Sequence, residues 1–394
     1  MVLGVVAFVV ALLVSVLLHE AGHLLTAKKF GMKATHYFAG FGPTLWSFKR
    51  GETEYGIKAI PAGGFVKIVG MTPMEEIEPA DRERAFYKQP APQRAVVLAA
   101  GSLTHFVIAF LLFWVVLSVI GLPDFSNKVG SIAPCVRIDE PKTCTPADPP
   151  APATLAGLRP GDRVLAVDAA KVGTASGDLS AAIRAHGPGQ AALLVERDGQ
   201  RLTLPANLVA ADRPDPKNPG KTISVAVLGV TPAQENRRLG PVQGLGKTLS
   251  GIGSGTVLTF KALGSIPAGV GKLLSSAPRD GSGLVGPVGA ARVGGEAVAG
   301  GSIAGFLLIV AGLNLSVGIF NLLPLFPLDG GHLGVLVFEQ IRSGIARVLG
   351  RRDPGRVDIA RLMPIATVVV AAFVGLSLLL LYADIVNPIA NPFQ

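Results

Sequence analysis

Four long apolar stretches constrain what this chain can fold into more than any other feature. Val2 to about Ala27, Ala95 to Gly121, Ser302 to Leu323 and Met363 to Ala383 match the ~20 residues a helix needs to cross about 30 Å of hydrocarbon. In lipid the backbone must satisfy its own polar groups, so stretches of this length read as spanning helices. Only 16% of the 394 residues are charged, against about a quarter in soluble domains. The 49 glycines and 30 prolines are interleaved with Val, Leu, Ile and Ala, which excludes a disordered or low-complexity chain. The first stretch lacks the basic leader and cleavage site of a signal peptide and is expected to be retained. Two cysteines are too few for a disulfide scaffold or a Cys-rich zinc module.

The net charge of +9 has its explanation in topology rather than in nucleic acid, since no basic block carries interleaved aromatics. Between Leu24 and Arg94 the sequence has eleven Lys and Arg. Between the third and fourth stretches it has Arg342, Arg347, Arg351, Arg352, Arg356 and Arg361. Both segments therefore read as cytoplasmic, which puts both termini and residues 122–301 outside. Cys135 and Cys144 fall in that outer part, where an oxidising compartment lets them pair; two unpaired small hydrophobes are the other reading.

At the inner end of the first stretch stands His19-Glu20-Ala21-Gly22-His23. On a helix, positions i and i+4 share a face, so both imidazoles reach one ion while Glu20 stays beside it. Three ionisable residues within an apolar segment are costly and by default functional. A catalytic zinc needs a third protein ligand and an open fourth position. Asp329 is the best candidate, in the run Asn321 to His332, whose prolines and glycines disfavour a regular helix. Such irregular backbone is tolerated in a membrane only where protein or water lines it. His332 and His105 remain alternatives, although an inter-helix polar contact suits His105 better.

HEAGH at 19–23 and NLLPLFPLDGGH at 321–332 together resemble the site-2 proteases, zinc enzymes that cut within membranes. The second run carries the family's motif at Asn321, Pro324, Leu328, Asp329 and Gly330, and GFGPTLWSFKRGETEYGIKAIPAGGFVKI at 40–68 looks closest to actinobacterial members. One departure is Gly101-Ser102-Leu103-Thr104-His105, where the family usually has Gly-Pro-x-x-Asn. The resemblance implies one catalytic Zn2+ held by His19, His23 and Asp329, with Glu20 as the catalytic acid and base. It also implies single-pass membrane substrates such as anti-sigma factors, already trimmed by another protease, at a bacterial plasma membrane. Asn321 donates to the developing oxyanion or the substrate backbone, or only caps its helix. Thr44 to Lys49 and Glu54 to Ala59 alternate around Arg50-Gly51, and Gly64-Phe65-Val66-Lys67-Ile68 reads as a further strand. This sheet either offers an edge strand to an unwound substrate, with Gly64, Phe65, Val66 and Pro324 in contact with it, or merely covers the helices.

Between about Val129 and Val230 short strands alternate with Gly and Pro. Ala156-Gly157-Leu158-Arg159-Pro160-Gly161-Asp162-Arg163-Val164 resembles the core of a bacterial PDZ domain, with Ser180 to Arg184 as its groove helix and a hairpin at Asp198-Gly199. Such a groove captures a peptide terminus, or the domain is a size-excluding plug. Leu245, Leu249, Ile252, Phe260, Leu263, Ile266, Val270 and Leu274 suggest amphipathic helices on the outer surface. The expected fold is thus a multi-pass α-helical membrane protein with four spans, a membrane-associated β-hairpin sheet and an extracytoplasmic PDZ domain. Its segments are 1–27 first span, 28–94 re-entrant hairpin region, 95–121 second span, 122–230 PDZ domain, 231–301 surface helices, 302–332 third span and motif, 333–362 cytoplasmic helix and loop, and 363–394 last span and tail. A competing reading is an inactive PDZ receptor with a structural zinc, which has no use for Glu20. An ion transporter is disfavoured by four spans without an inverted repeat.

Overall fold

The computed structural model describes residues 2–388 apart from 72–75, 137–143, 145–147, 175–176, 215–221 and 274–284. The chain forms two compact units, one of residues 1–119 and 239–394, the other of residues 120–238.

The first unit starts with α1 (Val2–Lys29), which is almost wholly apolar up to the HEAGH residues and ends in Lys28 and Lys29. Then come β1 (Ala34–Arg50) and β2 (Thr53–Ile68), long strands that fold back on each other. Tyr37 stands opposite Val66 on one flank and Tyr55 on the other, and Phe48 pairs with Tyr55. The lateral order is therefore 44–50, 53–58, 34–39, 64–68, with 64–68 on an edge. The central segment 34–39 is absent from the sequence expectation, because Ala34-Thr-His-Tyr-Phe-Ala lacks the alternation that marks a half-buried strand. Tyr37 donates its hydroxyl to the Leu17 carbonyl at 2.7 Å and so ties the sheet to α1. After two 3-10 turns, α2 (Ala91–Val115) begins earlier than Ala95, because a proline in the first turn costs no hydrogen bond there.

The second unit contains β3 (Leu122–Ile132), α3 (Pro152–Leu155), β4 (Arg163–Val167), β5 (Ala170–Lys171), α4 (Asp178–His186), β6 (Gly189–Arg197), β7 (Gln200–Pro214), β8 (Thr222–Val227) and β9 (Val230–Arg237). The antiparallel sheet runs β8-β7-β6-β4-β3-β9, with β5 on β4. Alternate strand residues Val164, Leu193, Val195 and Leu208 point to one face and pack with Leu179 and Ile183 of α4. The unit closes at Arg238 rather than at 230, because β9 pairs with β3 from Leu122↔Arg237 to Ile132↔Val230. Cys135 and Cys144 are joined by a disulfide.

The chain then returns to the first unit through α5 (Pro241–Gly264), α6 (Ile266–Leu273), α7 (Pro287–Ala299), α8 (Ile303–Asn321), α9 (Asp329–Val348) and α10 (Met363–Val386). The surface-helix expectation for 231–301 needs two corrections besides β9. Ile252 of α5 packs on Ala109, Leu315 and Ile319, while Leu245, Leu249 and Phe260 are exposed. Helix α7 lies against α1, where Gly295 faces Gly4 and Gly294 faces Phe8; small residues let the backbones approach, and no apolar periodicity announces it. Leu274 lies outside the described residues. Among the described residues four helices are long and apolar enough to span a membrane: Val2–Lys29, Ala91–Ile120, Ile303–Asn321 and Ala360–Val386.

Candidate metal centre

The i, i+4 spacing on α1 puts the His19 and His23 imidazoles side by side, and both are buried. Their Nε2 atoms are 3.2 Å apart. Asp329 Oδ2 lies 3.4 Å from His19 Nε2 and 3.3 Å from His23 Nε2. With ligand bonds of 2.0–2.1 Å, a tetrahedral zinc site has edges of about 3.3–3.4 Å, so the three atoms stand where three vertices of that tetrahedron fall. Asp329 Oδ2 is buried without a hydrogen-bond partner, and these three residues form a metal-competent group among the described residues.

The surroundings orient each donor. His23 Nδ1 lies 2.7 Å from the Val97 carbonyl; donation there fixes the tautomer and leaves Nε2 free for a metal. The His105 ring packs 5.0 Å from that of His19. Its Nδ1 donates to Asn314 Oδ1 at 2.8 Å, and Asn314 Nδ2 donates to Ser15 Oγ at 3.1 Å and to the Val310 carbonyl at 2.9 Å. A buried polar chain therefore links α2, α8 and α1 behind the site. His105 is thus a satisfied inter-helix contact rather than a member of the metal-competent group.

Asp329 opens α9, where the unpaired N–H groups of a first turn favour a carboxylate. The glycines expected to disfavour a helix instead allow this one to start. A Cβ on Gly330 would collide with the carbonyls of Leu322 and Leu323, so only glycine lets α9 begin against the turn that precedes it. The same reasoning holds on α2, where a Cβ on Gly101 would meet His23 Nε2 and lie 2.6 Å from His19 Cε1. His332 packs its ring on Phe326 at 4.3 Å, outside the metal-competent group. Asn321 is the last residue of α8, half-buried, and Pro324 is exposed in the following turn. Gly64, Phe65 and Val66 lie on the edge segment, and the Val66 N–H donates to Glu20 Oε2 at 3.0 Å, bringing Glu20 and that edge together. The sequence signalled the two His and the Asp through their motifs; Gly101 stands at the glycine of the family pattern in the second span but its role shows only in the packed helices, and Asn314 and Ser15 carry no signal until then.

Residues 7–352 match the model of peptidase family M50. The chain is 39% identical to Zinc metalloprotease Rip1 of Mycobacterium tuberculosis, over 98% of each chain. It is 38% identical to the protein of the same name from Mycolicibacterium smegmatis, again over 98% of each.

Proposed function

The chain belongs to peptidase family M50, and from that premise and the geometry of the centre we infer that it is a zinc-dependent intramembrane endopeptidase whose ion is held by His19, His23 and Asp329. The observation that carries this assignment is the triangle of Nε2, Nε2 and Oδ2 atoms at 3.2–3.4 Å. Bound zinc supplies an acidified water and a polarising charge for the scissile carbonyl. Glu20 takes the proton and returns it to the leaving amine; the Val66 N–H holds one of its oxygens and leaves the other for that exchange. Asn321 donates to the developing oxyanion.

The peptide bonds of a substrate helix are shielded until it unwinds. The edge segment Gly64–Val66, hydrogen-bonded to Glu20, supports strand addition as the way the unwound chain is held, and Pro324 in the exposed turn before Asp329 is read as a further substrate contact. Phe41, Leu45, Trp46, Phe48, Ile57 and Ile60 of the same sheet are exposed apolar residues, which suits insertion into the inner leaflet rather than a role as a polar cover. Substrates are single-pass membrane proteins already trimmed outside, anti-sigma factors being the class the resemblance suggests. The second unit is read as a PDZ domain outside a bacterial plasma membrane, taking a peptide terminus or screening by size. Both chain termini lie on that side and the active site near the cytoplasmic one, as the distribution of Lys and Arg supports. A closed structural zinc is disfavoured by the three-donor set and by the carboxylate of Glu20 beside it.

Glu20→Gln should retain one zinc per chain and lose cleavage of a membrane substrate by at least a hundredfold. Wild-type activity should disappear with a zinc chelator and return with added zinc. Cleavage persisting in Glu20→Gln would overturn the mechanism.

A further inference from the structure

A cavity of about 730 Å³ opens between α2, α9 and the segments around residues 70–71, 77–88 and 356–358, away from the triangle of ligand atoms. Its walls mix apolar side chains, among them Met71, Phe86, Leu98 and Leu336, with the cations Arg82, Lys88, Arg94 and Arg356. The acids that line it are already engaged. Glu339 accepts the Val357 N–H at 2.8 Å and faces Arg94 at 3.6 Å. Asp358 accepts the Ala360 N–H at 3.0 Å and pairs with Arg361 at 3.6 Å. His332 completes the titratable lining.

The cations are less fully matched. Arg94 is only 9% exposed, and its Nε is buried with no hydrogen-bond partner. A buried N–H left unpaired is costly, and a bound acceptor would recover that cost. The Arg356 guanidinium lies over the Tyr87 ring at 5.2 Å, held at the cavity by an aromatic face instead of a carboxylate. Among the described residues Lys88 pairs with the exposed Glu83, at 3.4 Å. Arg82 sits in a 3-10 turn whose neighbours are pinned, Asp81 by Lys33 at 2.6 Å and Arg84 by Glu52 at 2.6 Å. The volume lies in the range of small-ligand sites.

We propose that this cavity binds a phosphate-bearing anion, with the phosphate among Arg94, Arg82 and Arg356 and the rest of the molecule on the apolar wall. Guanidinium groups suit a phosphate because their N–H donors match its oxygens in pairs. Two sources share this chemistry: the headgroup of an anionic phospholipid and a soluble phosphate compound. The ligand has a place from which to influence the metal centre. Leu98 follows Val97, whose carbonyl holds His23, and His332 and Leu336 lie on the helix that begins with Asp329. An anion bridging α2 and α9 therefore fixes the spacing between two of the three donors.

The test uses the full chain purified in detergent and in bilayer discs. Inorganic phosphate titrated in a calorimeter probes the soluble source. Retention of phosphatidylglycerol over phosphatidylcholine, read by native mass spectrometry from mixed discs, probes the headgroup. The double variant Arg82→Gln/Arg356→Gln changes exposed residues and should keep one zinc per chain; Arg94→Gln removes the buried donor. Saturable phosphate binding weakened at least tenfold in these variants supports a soluble ligand, and selective lipid retention lost in them supports a headgroup. Absence of both, or binding the same in wild type and variants, overturns the proposal. The zinc content separates that outcome from failure of the protease assignment.

Discussion

Two residues without any chemistry of their own set the tolerances of the metal centre. Gly101 is where α2 comes within contact of both imidazoles, so a single methyl there displaces the ring nitrogens that should face the ion. Gly101→Ala should therefore weaken zinc binding about 10–100-fold, the range seen when support around a metal ligand is disturbed, while the spans still assemble. Competition with a fluorescent chelator measures it, and affinity equal to wild type would refute the packing argument. Behind the same rings, His105 and Asn314 satisfy each other across 2.8 Å inside the bundle. His105→Leu and Asn314→Leu should each destabilise the protein by about 1–2 kcal/mol. The double variant should lose less than the sum by about 1 kcal/mol, because breaking one partner already strands the other. Thermal or denaturant unfolding of the four proteins gives that coupling, and strict additivity would mean that the bond contributes nothing.

At the scale of elements, the sheet of β1 and β2 is the part most exposed to a direct test. Trp46 is 58% exposed on a segment that the proposed function inserts into lipid. Trp46→Asp should reduce cleavage of a bilayer-embedded substrate about tenfold, as a charge in the membrane interface costs on the order of 1–2 kcal/mol. Hydrolysis of an extended peptide in detergent should be unchanged; an equal loss in both assays would assign the sheet a purely structural role. The elements also differ in how far the sequence reveals them. Spans announce themselves by composition alone, and His19 with His23 by a spacing that only a helix makes meaningful. Asp329 is legible through its motif, but its position at the start of a helix is not, because Gly330 and Gly331 read as breakers until the packed turn 322–328 explains them. Segment 34–39, β9 and α7 depend on partners distant in sequence or on small-residue packing, and local pattern does not encode such pairings. The chain behind the site, Ser15 to Asn314 to His105, joins residues almost three hundred positions apart and is invisible before folding.

For the molecule as a whole, division into two units predicts that the second can fail while the first keeps its metal. Stability of the second unit leans on one buried ion pair. Asp162 is 1% exposed at its side chain and takes two bonds of 2.7 Å from Arg197 as well as the Arg159 N–H at 2.8 Å. The Arg197 guanidinium, chiefly, holds the Asp162 carboxyl below the usual aspartate range. A carboxyl depressed in the folded state contributes stability that is complete above its ordinary value, roughly pH 4, and that is lost progressively as pH falls from there through the lower folded-state value. Arg197→Met leaves that carboxylate buried without its partner and should cost about 3–5 kcal/mol, a large part of the 5–15 kcal/mol that usually holds a domain. Limited proteolysis at pH 7 should then cut Arg197→Met within residues 120–238 at least tenfold faster than wild type, with one zinc still bound per chain. In wild type the same cuts should become accessible only as the pH drops below about 4. Asp162→Asn should lose that pH dependence, since no charge remains to be neutralised. Zinc released together with the cuts at neutral pH would show that the two units unfold as one.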